Sequence, residues 1–223
     1  MSSSISLTPE LIAYLAATNP PEHPALARCR ADTARLPDAN MQISPEQGAF
    51  MALLARMLAA RRAFEVGVFT GYSSTVVALA MQERHGRDAH LLACDISEEW
   101  TKIARGYWRE ANVEDIVDLK LAPALETLDH KIAAGEAGTY DYGFVDADKP
   151  GYDAYYERGL ALLRPGGVML FDNMLWDGDV ADPRNNEPST VALRALAQKA
   201  KSDPRVHAAM TSIGDGLLIC VKR

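Results

Sequence analysis

Long hydrophobic runs are missing from this chain: no segment of its 223 residues approaches the ~18 unbroken apolar positions that a membrane-crossing helix needs. The start, Met1-Ser-Ser-Ser-Ile5, also lacks the basic-then-apolar pattern of an export leader, so a cytoplasmic protein without a membrane partner is expected. Cysteine is scarce. Cys29, Cys94 and Cys220 are odd in number, far apart and set among apolar residues, which speaks against a disulfide framework, a zinc site or a redox pair and for buried, reduced thiols. Positive charge is in deficit as well, with 23 Lys and Arg against 30 Asp and Glu. A net charge of -7 and no basic stripe argue against a nucleic-acid partner. No repeat, low-complexity tract or linker divides the chain. One domain covering 1–223 is expected, with 1–40 as accessory N-terminal helices.

What is present is an alternation of apolar strands and helices. Thr8-Pro9-Glu10 reads as the cap and first turn of a short helix, and a second helix should run from His23 to about Leu36. Ser44-Pro45-Glu46-Gln47 is a capping box that launches a helix through Met51, Leu54 and Leu58. Strands are expected at Arg62 to Gly67, His90 to Asp95, Leu119 to Ala122 (weakly), Tyr140 to Asp146 and Val168 to Asn173. Helices begin near Gly71, Ser97, Pro123 and Gly151, and a last one spans Ser189 to Lys201. Arg164-Pro-Gly-Gly167 reads as the turn into the fifth strand. The final pair, Val206 to Ile213 and Leu217 to Val221, is joined by too few residues for a parallel crossover and must be antiparallel. The fold class is therefore α/β, a doubly wound, mostly parallel sheet ending in an antiparallel hairpin.

Polar residues gather where strands end, which is where open α/β sheets bind ligands. Asp146 and Lys149 follow one apolar strand, and Asp172-Asn173 follow its neighbour. Two carboxylates and an amide oxygen make a hard-cation site, with Mg²⁺ the natural occupant; the plainer alternative is that these acids cap helices or pair with an arginine such as Arg164. Lys149 is either a surface lysine or an amine whose pKa burial and a nearby cation would lower enough for it to act as a base. Asp148 reads as solvated. Glu65-Val-Gly67-Val-Phe-Thr-Gly71 is a glycine turn between strand and helix, serving packing alone or a ligand; its acid suits a cationic ligand and would crowd a pyrophosphate. Asp95 is placed either to cap the following helix or to accept hydrogen bonds from a ribose diol. Tyr152, Tyr155 and Tyr156 read as packing residues, the five histidines carry no ligand spacing, and Trp176, on the irregular stretch from Met174 to Pro188, suits stacking against a flat substrate.

Several blocks together resemble a known family: Met41 to Ser44, Glu65 to Ser73, Asp95-Ile96, Phe144-Val-Asp-Ala-Asp-Lys149, Asp172-Asn173 with Leu175-Trp-Asp-Gly178, and Ile213-Gly-Asp-Gly-Leu217. They are similar to the cation-dependent O-methyltransferases typified by caffeoyl-CoA O-methyltransferase and, more distantly, to catechol O-methyltransferase. The resemblance runs from about Met41 to the C-terminus. It implies a Rossmann-like methyltransferase fold with a seven-stranded sheet, a homodimer, and S-adenosylmethionine as methyl donor. It implies cofactor contacts at Met41, Ile43, Glu65, Gly67, Val68, Tyr72, Ser73, Asp95, Ile96, Ala122 and Asp146. It further implies Asp146, Asp172 and Asn173 as ligands of Mg²⁺ or another divalent cation such as Mn²⁺ or Ca²⁺. Asp146 and Lys149 would then be catalytic, and Lys149 and Trp176 would face a small aromatic substrate with vicinal hydroxyls, such as a caffeoyl derivative or a small catechol. Ile43 departs from the pattern, because plant members carry a hydroxyl residue there. A CoA thioester would want basic residues near its phosphates, and the N-terminal segment offers only Arg28, Arg30 and Arg35. A non-catalytic S-adenosylmethionine-binding module is the main alternative; a nicotinamide dehydrogenase is disfavoured by the missing phosphate fingerprint and by the terminal hairpin.

Overall fold

The computed structural model describes residues 7–223. Seven strands, β1 (Arg62–Val66), β2 (His90–Asp95), β3 (Val117–Leu121), β4 (Tyr140–Val145), β5 (Leu163–Phe171), β6 (Val206–Thr211) and β7 (Leu217–Lys222), form one sheet in the order β3-β2-β1-β4-β5-β7-β6. Pairings from β3 through β5 are parallel, and β7 runs antiparallel to both β5 and β6. The central strands are buried along nearly their whole length, as expected for strands covered on both faces. The strand order reverses between β1 and β4. That reversal opens a crevice at the carboxyl ends of the two strands, next to Gly67 and Asp146.

Among the described residues eight α-helices frame the sheet: α1 (Pro9–Thr18), α2 (Pro24–Thr33), α3 (Pro45–Met57), α4 (Tyr72–His85), α5 (Glu98–Glu110), α6 (Ala124–Lys131), α7 (Tyr152–Leu162) and α8 (Pro188–Ser202). On one face, Met51, Val77, Met81, Ala104 and Trp108 from α3, α4 and α5 pack on Ala63, Leu91, Ala93 and Leu170. On the other, Leu128, Tyr156, Leu160, Leu193 and Leu196 from α6, α7 and α8 pack on Phe64, Leu92, Met169 and Phe171. In α5 the buried Thr101, Ala104 and Trp108 lie three and four residues apart, so they line one side of the helix.

Most element starts follow from capping chemistry. Thr8, Ser44 and Ser97 each accept a main-chain N–H of the first helical turn, from Leu11, Gln47 and Trp100. Three expectations are corrected. The helix expected to reach Leu36 stops at Thr33, ahead of Leu36-Pro37, where the proline ring disfavours helical geometry. Edge strand β3 begins at Val117 rather than Leu119, because β2 offers pairing partners from Leu91 onward. The fifth strand begins at Leu163: Tyr140 already pairs with Leu163, and the Pro-Gly-Gly stretch is a bulge inside the strand, where the register shifts. All three cysteines are buried and free, and burial pushes the Cys29 thiol up to about 11 and those of Cys94 and Cys220 to about 12. No helix among the described residues is long and apolar enough to cross a membrane.

Candidate active site at the strand ends

The turn after β1 is shaped by two neighbouring strands. Gly67 holds φ 88°, and a side chain there would drive into the Asp146 carbonyl oxygen at the end of β4. Positive φ and absent space both demand glycine. Gly67→Ala is expected to destabilise the fold by several kcal/mol and to abolish cofactor binding; thermal melts and calorimetric titration would check this, and a variant of wild-type stability would refute it. Asp95 braces the same turn. Its Oδ2 accepts the N–H groups of Val68 (2.8 Å) and Phe69 (3.1 Å), while Oδ1 accepts that of Ser97 (2.8 Å). Asp95 thus ties the β1 turn to the start of α5, and Ser97 is the residue that caps the helix.

Glu65 lies one step back on β1 and is 1% exposed. Ser73, in the first turn of α4, donates to its Oε1, and Oε2 has no partner. Burial above all, with Asp146 and Asp95 adding repulsion, pushes its carboxyl up to about 8. A buried acid with one unused oxygen at a ligand crevice fits a cationic group. Tyr72 is placed differently from what its motif suggested: the ring packs against Gly48 of α3 and the hydroxyl donates to Glu22 Oε1 at 2.5 Å, so its side chain is spent on the N-terminal segment. Ile43 is buried in the core, whereas Met41, Ile96 and Ala122 remain at least partly exposed, the last two just past the carboxyl ends of β2 and β3.

At the tips of β4 and β5 the polar residues converge. Lys149 is 6% exposed, which rules out the surface reading. Its Nζ donates to Asn173 Oδ1 (2.7 Å), Tyr152 Oη (2.8 Å) and Asp146 Oδ1 (3.0 Å). It also lies 5.5 Å from the centre of the Trp176 ring, within cation–π reach. Asp172 is 3% exposed, and burial followed by repulsion from Asp146 raises its pKa. Arg164 is elsewhere, bound to Asp141 at 2.6 Å, which removes the plainer pairing for these acids. Asp148 is exposed, as expected, though it also accepts from Gly151 N–H and the Tyr155 hydroxyl.

Asp146 and Asn173 thus accept from a single ammonium, and the buried Asp172 carboxyl feels the charge of both Asp146 and Lys149, which makes an oxygen-rich, poorly solvated place. Among the described residues no group of three or more His, Cys, Asp and Glu comes together, so the oxygen set at these two strand ends is mixed: Asp146, Asp172 and Asn173. Hard oxygen donors with excess negative charge fit a divalent cation.

A family model described as O-methyltransferase matches residues 16–223. The chain belongs to the O-methyltransferase family. It is 42% identical over 209 residues to the mouse catechol O-methyltransferase domain-containing protein 1, covering 94% of this chain and 78% of that one. It is 45% identical to a probable caffeoyl-CoA O-methyltransferase of Dictyostelium discoideum, over 82% of this chain and 78% of the relative. Among solved structures, the O-methyltransferase from Bacillus cereus in complex with SAH superposes with a TM-score of 0.82 at 30% identity, covering 95% of this chain and 96% of that one.

Three residues of this O-methyltransferase site escaped the sequence reading. Tyr152 reads as packing, yet its hydroxyl bridges Lys149 Nζ and the Asp172 carbonyl oxygen (3.0 Å). The i,i+3 spacing from Lys149 was the available signal. Gln47 is half of the expected capping box, but only the Ser44 half forms. Its 1% exposed carboxamide instead lies between Gly214 and Asp172: it holds the Asp172 carboxyl down in part, while Nε2 lacks a hydrogen bond of full geometry. Asp215, in the β6–β7 turn, is the third.

Proposed function

We propose that this O-methyltransferase moves the methyl group of S-adenosylmethionine to one hydroxyl of a small aromatic substrate with vicinal hydroxyls, with a divalent cation at Asp146, Asp172 and Asn173. The observation that carries the reading is that Asp146 and Asn173 meet on the buried Lys149 amine beside Trp176, with the buried Asp172 carboxyl next in the chain to Asn173. Glu65 would hold the donor's α-ammonium with its free oxygen, Asp95 would take the ribose diol with lone pairs left over from the turn, and Ile96 and Ala122 would border the adenine. Met41, Ile43, Val68 and Ser73 would complete the cofactor contacts.

Bound at the strand ends, a divalent cation supplies positive charge that makes a neighbouring hydroxyl more acidic. The protein's own part is orientation and proton handling. With a cation bound, Lys149 Nζ would yield one of the hydrogens it donates here to solvent and so become the atom that receives the hydroxyl proton, and the Tyr152 hydroxyl, which accepts from it, would hold the amine in position. Trp176 offers a flat face for the aromatic ring. Holding acceptor oxygen and methyl carbon in line supplies much of the rate gain, since orientation alone contributes about 7–11 kcal/mol in well-aligned systems.

Charge favours small catechols over CoA thioesters. The three arginines available to N-terminal phosphate contacts are already paired, Arg28 with Glu110, Arg30 with Glu22 and Arg35 with Asp32. The stretch after Trp176 carries Asp177, Asp179 and Asp182, and Arg184 is bound to the last of these. Methyl incorporation from labelled donor into catechol, caffeate and caffeoyl-CoA, with Mg²⁺ and with chelator, is the test. Transfer to the two small catechols that stops on chelation is expected, with weaker transfer to the thioester; full-rate methylation in chelator would overturn the cation assignment.

A further inference from the structure

The β6–β7 turn, Ile213-Gly-Asp-Gly216, reaches across to the end of β5. Asn173 there holds φ 55°, a conformation uncommon outside glycine, and its carboxamide sits between two groups of opposite demand. Lys149 Nζ has only hydrogens to offer and lies 2.7 Å from Oδ1; the Asp215 carboxylate has only lone pairs, and its Oδ2 accepts from Nδ2 at 3.4 Å. Reversing the amide would set NH₂ against ammonium and oxygen against carboxylate. Lys149 and Asp215 therefore both favour the orientation in which the Asn173 oxygen faces the strand tips, Asp215 from the amide end.

The same residue also holds the turn that carries Trp176. Asp215 Oδ1 accepts the Asp177 N–H at 2.9 Å and its main-chain oxygen accepts that of Leu175 at 2.8 Å, while Met174 N–H donates to the Gly216 carbonyl at 3.0 Å. Trp176 and Asp177 have φ of 48° and 50°, values that persist in non-glycine residues only where the surroundings impose them. The restraints on this short strained turn come largely from one side chain and its neighbouring main chain.

We propose that Asp215 is a positioning residue that aims the Asn173 oxygen at the cation position and fixes the Trp176 turn beside it, coupling cation binding to the placement of the aromatic substrate. This rests on the cation reading above. Asp215→Ala removes both side-chain bonds; Asp215→Asn keeps the size but cannot accept at both oxygens. Mn²⁺ binding followed by electron paramagnetic resonance on the full chain should weaken about 10- to 100-fold in Asp215→Ala, the range found for groups that orient metal ligands, and less in Asp215→Asn. Amide hydrogen exchange should speed up across 174–182 in both, with S-adenosylmethionine affinity within twofold of wild type, and the catechol KM should rise more than kcat falls. Wild-type Mn²⁺ affinity and wild-type exchange in both variants would overturn the proposal. A wild-type protein that binds no Mn²⁺ would overturn the cation reading and the Asn173 half with it, and the exchange rates would then decide the Trp176 half. If Asp215→Ala does not fold, Asp215→Asn carries the same two readouts.

Discussion

Replacing Lys149 with alanine should lower methyl transfer by roughly 10²- to 10⁴-fold, the range for loss of a positioned general base, while S-adenosylmethionine affinity stays within about twofold. The first effect follows from Nζ being the only amine in contact with Asp146 and Asn173 among the described residues; the second from the β1 turn being braced by Asp95 and shaped by Gly67, neither of which bonds to Lys149. A further consequence separates this variant from a simple loss of chemistry. The ammonium is also the counter-charge for two carboxylates, one of them 3% exposed, and breaking a buried pair by removing one partner typically destabilises by ~3–5 kcal/mol. Asp146 retains 22% side-chain exposure, so the low end of that range applies. Mg²⁺ should then raise the melting temperature of Lys149→Ala more than that of wild type, because the cation supplies the charge the variant lacks. Turnover within tenfold of wild type would remove Lys149 from the proton path, and equal Mg²⁺ shifts would separate it from the oxygen donors.

Glu65→Gln should weaken S-adenosylmethionine binding by roughly 10- to 100-fold, the worth of a charged hydrogen bond. It should also change how the cofactor-free protein responds to pH. In the folded state the carboxyl titrates at about 8, against a value of 4.5 for the free group. Native protein therefore keeps a proton that the unfolded chain releases, so the stabilisation is complete below about 4.5, shrinks as pH rises, and is lost once pH passes through about 8. Glutamine has no such slope. Urea unfolding of both proteins between pH 5 and pH 8.5 should show the difference moving in favour of Glu65→Gln by on the order of a few kcal/mol. Cofactor binding near neutral pH should release a proton from wild type only, seen as buffer-dependent heats. Parallel pH profiles for the two proteins would mean that Glu65 is already ionised in the crevice.

Much of this architecture is legible in the order of residues. Apolar strands ending in Asp95, Asp146 and Asp172-Asn173, with caps at Thr8, Ser44 and Ser97, are local signals, and local signals survive folding because a cap or a buried strand needs only its immediate neighbours. Strand edges were less legible, since the start of β3 depends on what β2 offers and the start of β5 on a bulge against Tyr140. Gln47 misled for a related reason: Ser-Pro-Glu-Gln is a complete capping box by spacing, yet the carboxamide lies beside Asp172 instead, a neighbour distant in sequence and visible only in three dimensions.

The doubly wound sheet, its antiparallel end, the glycine turn with an acid before it, and the four polar residues at two strand tips can all be read from the order of residues. Period, spacing and the shortness of the last connection are properties of the chain. The packed fold selects among the alternatives that the residues leave open. It buried Lys149 among oxygen donors, sent Arg164 to Asp141, turned Tyr72 toward Glu22, and brought Asp215 from the last hairpin to Asn173. Those outcomes depend on packing between elements far apart in sequence, where burial and pairing of charge, rather than local conformation, select one arrangement.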